Sequence, residues 1–185
     1  LTGDHVVGPK AEYLKAHGIE SESISEKELV DEIESLLNKN YGKPKEGKWI
    51  KFVFDFNFYL DEQAISDSKV DISTVEKDIK SVLVKNKGFA YVVTQQEYQN
   101  RQLPPEMFAR QILKTYYPGR SGHVIGILKP FYYGGKSDRA DHLTGYSYDR
   151  MVPILFSGFG VKTGLYADKA EVVDIAPTLS FLLGI

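Results

Sequence analysis

The sequence predicts an α/β fold, and three observations carry that expectation. Between residues 48 and 130, β-rich and amphipathic segments alternate as β-α-β-α-β, which describes a compact α/β unit. Residues 152–156 form a short, almost wholly apolar run, the pattern of a strand covered on both faces. A capped apolar helix at 174–184 then closes the chain, as helices close the strands of a parallel sheet.

The elements follow in order. After Gly8-Pro9, residues 11–16 predict a short helix with His17-Gly18 as its C-cap. Residues 20–34 hold seven acids (Glu20, Glu22, Glu26, Glu28, Asp31, Glu32, Glu34) against the single base Lys27. Ser25 and Glu28 have capping-box spacing, and Leu29, Ile33, Leu36 and Leu37 recur at helical spacing. That is one amphipathic helix with a solvated acidic face. A polar Gly-, Pro- and Lys-rich connection spans 41–48, and 49–60 is β-rich with Val53, Phe54, Phe56, Phe58 and Tyr59. Ser73 and Glu76 form a second capping box, opening a helix through Lys87 with Val75, Ile79, Val82 and Leu83 on one face. Residues 89–94 read as a strand, Pro104-Pro105 opens a helix over 106–116, and 124–128 is a buried strand. The stretch 134–148 is a loop with almost no aliphatic content. In the last helix Asp174 is the N-cap, Ile175, Leu179, Leu182 and Leu183 face inward, and Gly184 is the C-cap.

Composition removes several function classes. The chain has 185 residues, 42% hydrophobic, which is enough apolar surface for a sizeable core of about one domain. Its 23 basic and 25 acidic residues leave a net charge of −2, without the basic excess of a nucleic-acid binder. The absence of cysteine excludes a disulfide scaffold, a Cys-based zinc finger and a Cys nucleophile. No apolar run approaches the roughly 20 residues of a membrane span. The chain starts at Leu1 without a signal-peptide pattern, so the expectation is a cut end of something longer.

Four histidines are the candidates for metal chemistry, since zinc takes imidazole nitrogen and carboxylate oxygen. His17 reads as a surface helix cap, and His123 as a polar neighbour of the 124–128 strand. Asp4-His5 lies in a loop and offers two donor types in sequence, compatible with a metal site or with a plain polar loop. His142 lies in the polar stretch 141–149, just before the apolar run, where site-bearing loops of α/β folds lie. There is no Gly-x-Ser-x-Gly elbow and no P-loop. Gly119-Arg120-Ser121-Gly122 reads as a turn, with an anion cradle as its alternative.

Taken together, these segments resemble a known family. Leu1-Thr2-Gly3-Asp4-His5-Val6-Val7-Gly8-Pro9 resembles the Asp-His metal loop of the alkaline phosphatase superfamily. His142-Leu143-Thr144-Gly145-Tyr146-Ser147-Tyr148-Asp149-Arg150-Met151-Val152-Pro153 resembles its last metal-ligand loop, in the form found in the type I phosphodiesterase/nucleotide pyrophosphatase branch. Residues 117–122 and Val173-Asp174-Ile175-Ala176-Pro177-Thr178-Leu179 look like further blocks, and the nearest likeness is to bacterial phosphate-irrepressible alkaline phosphatases.

The resemblance implies a zinc-dependent phosphate monoester hydrolase with two zinc ions and a Thr nucleophile. It maps Asp4, His5 and His142 onto metal ligands and puts the nucleophile and remaining ligands upstream of this chain. It further implies part of a parallel sheet with helices, with 1–40 and 140–185 in the metal-hydrolase core and 41–139 as an inserted smaller α/β subdomain. The expected substrate is a small phosphate ester. The expected partner is the missing N-terminal half or a dimer mate, and the expected location is periplasmic or secreted. Phosphodiesterase or nucleotide pyrophosphatase activity, and a non-catalytic binding domain with relic metal loops, are the alternatives. Two departures bear on them: Val6 and Leu143 stand where the family has glycine after each ligand histidine. Asp141 and Asp149 are expected to orient the His142 ring.

Overall fold

The computed structural model describes residues 1–135 and 140–185. Helix α1 (Ala11–Ala16) precedes strand β1 (Glu22–Ile24) and helix α2 (Glu26–Tyr41). A hairpin, β2 (Ile50–Phe54) and β3 (Asn57–Leu60), leads into α3 (Glu62–Asp67) and α4 (Ile72–Leu83). Strand β4 (Phe89–Thr94), helices α5 (Gln95–Gln99) and α6 (Glu106–Thr115), and strands β5 (Val124–Leu128) and β6 (Tyr132–Gly134) follow. Helix α7 (Ser147–Arg150), a 3-10 turn (Val172–Asp174) and α8 (Ile175–Leu183) complete the order.

The fold is α/β, as the sequence predicts, but the strands between 48 and 130 are antiparallel. They form a four-stranded sheet in the order β2-β3-β5-β4, while the parallel pairing joins β1 to β6, Glu22 opposite Tyr132. The β-rich stretch 49–60 is two strands rather than one. Its turn is Asp55-Phe56, both left-handed at φ 47° and 55°, the backbone of a tight hairpin turn whose twist matches its strands. Neither residue is the Gly or Asn that usually signals such a turn. The Phe56 amide donates to Glu26 Oε1 at 2.7 Å, and the Phe56 ring is buried edge-on against Phe89. Helix α2 and the sheet together hold the strained turn.

The sheet is covered on both faces, and alternation along each strand divides the residues. On one face Leu29, Ile33 and Leu37 of α2 pack with Val75, Ile79 and Leu83 of α4 against Phe58, Val92 and Val124. Each fully buried aliphatic side chain contributes about 1.5–3 kcal/mol by leaving water. Trp49 is fully buried in the same cluster, its indole N–H donating to Asn38 Oδ1 at 3.1 Å. On the other face Val93 packs with Ile112 and Tyr116 from α6 and its end.

Several local expectations are corrected. Helix α4 is capped by Asp71, which accepts from the Thr74 amide and the Ser73 hydroxyl, so Ser73 lies inside the first turn. The helix ends at Leu83, four residues before Lys87. The expected loop 134–148 contains the end of β6 and the start of α7; its residues 136–139 lie outside the described ones. Residues 152–156 do not form a two-sided buried strand. Ile154 makes one bridge, to Thr2, and Leu155 is 53% exposed, because the described residues provide no second neighbour for the run. The inward face expected for α8 is not buried: Leu179, Leu182 and Leu183 are 43%, 40% and 70% exposed. The Asp174 carboxylate does not cap α8. It turns back to accept the Glu171 amide at 2.9 Å. Gly184 closes α8 in the left-handed conformation, as expected.

Candidate metal centre

Main-chain bonds join the first eight residues to residues 141–155. The Leu155 amide donates to Leu1 O, the Val6 amide to Asp149 O, and the Gly8 amide to Asp141 O, each at 2.8 Å. The fit at Gly8 is tight enough to demand glycine, since a Cβ there would stand 2.3 Å from the buried Tyr133 hydroxyl. These contacts lay the Asp4-His5 loop along the 141–149 loop.

The result is a direct meeting of two predicted ligands. The His5 and His142 rings are stacked, with centroids 3.8 Å apart and planes inclined by 27°. Asp4 joins them, its Oδ2 3.6 Å from His5 Nε2. His5 Nδ1 lies 2.7 Å from the Val6 carbonyl oxygen. A carbonyl only accepts, so Nδ1 carries the hydrogen and the neutral ring keeps a free lone pair at Nε2. Such a backbone bond is the usual way a protein fixes the tautomer of a ligating histidine. His142 Nδ1 is buried and has no hydrogen-bond partner among the described residues. The donor set and this orphaned nitrogen fit a cation that takes imidazole and carboxylate ligands. Among the described residues, no three His, Cys, Asp or Glu side chains are grouped to hold a metal ion, so the set is a partial one.

The late loop owes its shape to hydrogen bonds made to backbone groups rather than to the His142 ring. Asp141 Oδ1 accepts the His142 main-chain amide at 2.9 Å, and Asp149 Oδ2 accepts the Thr144 amide at 2.6 Å. The expectation that these carboxylates orient the imidazole is therefore corrected: both are engaged with backbone N–H groups. Asp149, 2% exposed, serves both loops, with its carboxylate on Thr144 and its main-chain oxygen on Val6. Tyr146 donates its hydroxyl hydrogen to Leu128 O at 2.8 Å, and Tyr148 Oη accepts the Phe131 amide at 3.0 Å. Gln111 on α6 donates to Gly145 O at 2.8 Å. Two tyrosines and one glutamine thus tie the loop to the sheet and to α6.

The two departures behave differently. Leu143 adopts φ 74°, the left-handed backbone that a glycine takes without cost. A side-chain-bearing residue therefore occupies a turn whose backbone favours glycine. Val6 is not among the residues with positive φ, so its β-branched side chain meets no such strain.

The other candidates are structural. His123 Nδ1 accepts the Leu60 amide at 3.1 Å, so its Nε2 carries the hydrogen toward Glu62 Oε1, also 3.1 Å away. His17 caps α1, with Nδ1 2.8 Å from Tyr13 O. Residues 117–122 form a turn closed by the Tyr117 amide donating to Ser121 Oγ at 2.8 Å.

A cleft of about 730 Å³ opens beside His142, between α6, the outer face of the sheet and the late loop. Asp55 lines it from the hairpin turn. Its carboxyl is pushed up to about 6, first by burial and then by the charges of Glu26, Asp141 and Asp149. The sequence offered no sign of this placement, because Asp-Phe carries no turn signature.

Comparison with known proteins follows the same lines. No family model matches the chain. The alkaline phosphatase PafA of Elizabethkingia meningoseptica is 27% identical over 186 residues, spanning 100% of this chain and 33% of that protein. The alkaline phosphatase PhoV of Synechococcus elongatus is 33% identical over 126 residues, 68% of this chain and 23% of its own length. A Myroides odoratus protein named as a calcium-transporting ATPase is 30% identical over 138 residues, 74% of this chain and 25% of its own length. The crystal structure of wild-type PafA superposes with a TM-score of 0.88 at 26% identity, covering 100% of this chain and 34% of that one. The chain thus spans about a third of the length of PafA. The mixed sheets and helices described above match that fold.

Proposed function

We propose, because this chain carries part of the alkaline phosphatase superfamily fold, that the protein it forms part of is a zinc-dependent phosphate monoester hydrolase. One observation carries the reading: His5 and His142, from two loops far apart in sequence, stack at 3.8 Å with Asp4 beside them. Asp4, His5 and His142 would be ligands divided between two zinc ions. A Thr nucleophile and the remaining ligands would come from a segment not included here.

Zinc, when bound there, would supply Lewis-acid stabilisation of the attacking and departing oxygens of a phosphoryl transfer. This chain's residues have narrower tasks. The Val6 carbonyl holds the His5 ring in the tautomer whose Nε2 is free. Asp149 keeps the two loops in register, and Tyr146 and Tyr148 fix the late loop against the sheet. The left-handed backbone at Leu143 favours a working loop over a relic, since strained backbone of this kind clusters at functional sites.

We further propose that residues 1–40 and 140–185 contribute to the metal-hydrolase core and 41–139 form an inserted unit. The backbone bonds between 1–8 and 141–155 support the first part. Helix α2, although all but its last residue lie before 41, packs on α4 and the antiparallel sheet. Exposed α8 and residues 152–156 would be covered by the remaining part of the protein. Periplasmic or secreted location accords with the family; no helix among the described residues is long and apolar enough to cross a membrane. The test is a rate comparison on the complete protein, 4-nitrophenyl phosphate against bis(4-nitrophenyl) phosphate, with zinc added and then chelated. Zinc-dependent preference for the monoester supports the reading. Preference for the diester would move it to phosphodiesterase.

A further inference from the structure

The cleft beside His142 is enclosed on one side by the sheet face and α6, and it opens outward. Its charge is uneven. Lys114 on α6, Arg120 on the 117–122 turn and Arg150 at the end of α7 line it, against a single acid among the described lining residues, Asp55. All three cationic side chains are exposed, and none forms an ion pair among the described residues. They come from three different elements yet converge on one cavity. Two of them are positioned: the Arg120 guanidinium lies 5.8 Å above the Tyr117 ring, and Arg150 Nη1 is 3.5 Å from Gly145 O. Tyr59 adds an aromatic wall, with its ring stacked on Phe52 at 4.1 Å. A volume of about 730 Å³ suits an organic group rather than an inorganic ion.

We infer that this cleft is a leaving-group subsite, in which Lys114, Arg120 and Arg150 receive the alcohol portion of a phosphate monoester that carries a second negative charge. The inference rests on the phosphatase reading. An ester phosphate held at the His5–His142 pair has the cleft as its neighbour on the His142 side, so its organic part extends there. Guanidinium and ammonium groups recognise carboxylate or phosphate, and near-surface pairs of this kind contribute modestly one by one but add when several converge. The subsite would therefore act on substrate choice, mainly through KM.

The experiment uses the complete zinc-loaded protein and two esters that differ in one charge, 4-carboxyphenyl phosphate and its neutral analogue 4-carbamoylphenyl phosphate. The expected kcat/KM ratio is about tenfold in favour of the charged ester, carried by KM, with three near-surface cations facing one anion. In Arg120→Gln and Arg150→Gln the ratio falls, and in the triple variant that adds Lys114→Gln it approaches one. Lys114→Gln, on the exposed face of α6, repeats the test should an arginine variant misfold. A wild-type ratio at or below one, or a ratio that the variants leave unchanged while both esters are hydrolysed, overturns the subsite alone. Failure to hydrolyse either ester overturns the monoesterase reading and the subsite with it.

Discussion

His5 and His142 stack face to face at 3.8 Å, and one main-chain bond, between His5 Nδ1 and the Val6 carbonyl, decides which nitrogen of the first ring is free. In the complete protein, neutral His5 should therefore be the Nδ1–H tautomer. Imidazole nitrogen chemical shifts of the ¹⁵N-labelled protein report it directly. An Nε2–H assignment for His5 would contradict the proposed ligand atom.

Leu143 offers a test of strain. Its φ of 74° costs a side-chain-bearing residue about 1–2 kcal/mol, and its side chain is 55% exposed, so little burial is lost on truncation. Leu143→Gly should therefore stabilise the protein by about 1 kcal/mol, part of the relief being offset by the freer unfolded chain. A raised thermal midpoint with zinc content unchanged is the expected outcome. A lowered midpoint would mean that Leu143 is held by contacts to the rest of the protein.

Asp149 joins two loops, so the substitution matters as much as the position. Asp149→Ala leaves the Thr144 amide without its acceptor and should cost about 1–3 kcal/mol in denaturant unfolding. Asp149→Asn retains an acceptor oxygen and should recover most of that loss. If both variants were equally destabilised, the charge rather than the hydrogen bond would be responsible.

Glu76 on α4 is 3% exposed, and burial pushes its carboxyl up to about 7. The unfolded chain releases this proton near 4.5, the ordinary value, while the folded chain retains it to about 7. Stability from this group is thus fully present below 4.5 and declines as pH rises to about 7. Glu76→Gln should flatten that part of the pH–stability curve and stabilise the protein at pH 8 by an amount on the order of 2 kcal/mol. An unchanged curve would show that Glu76 is solvated in the native state.

Much of this architecture was legible from local signals. Ser25 caps α2, Pro105 precedes α6 and Gly184 closes α8, because each satisfies or terminates a helix with groups adjacent in sequence. The direction of the strands was not legible, since the turn that reverses the chain is Asp55-Phe56. Its positive φ values are held by Glu26 and by the packing of Phe56, both remote in sequence. The exposure of 152–156 and α8 was not legible either: apolar composition states that a segment wants cover, not which chain provides it. At the candidate site the metal-type residues could be named beforehand, whereas the supports could not. Asp149 was expected at the imidazole and is found on the Thr144 amide, a distinction that only loop geometry makes.

The most direct test of the central claim is the zinc content and 4-nitrophenyl phosphate turnover of the complete protein, wild type beside His142→Ala. The expected wild-type content is two zinc ions per chain. The variant should retain fewer and lose more than the about 10- to 100-fold that an outer partner of a ligand costs. Unchanged zinc stoichiometry and turnover in His142→Ala would contradict the assignment of this histidine.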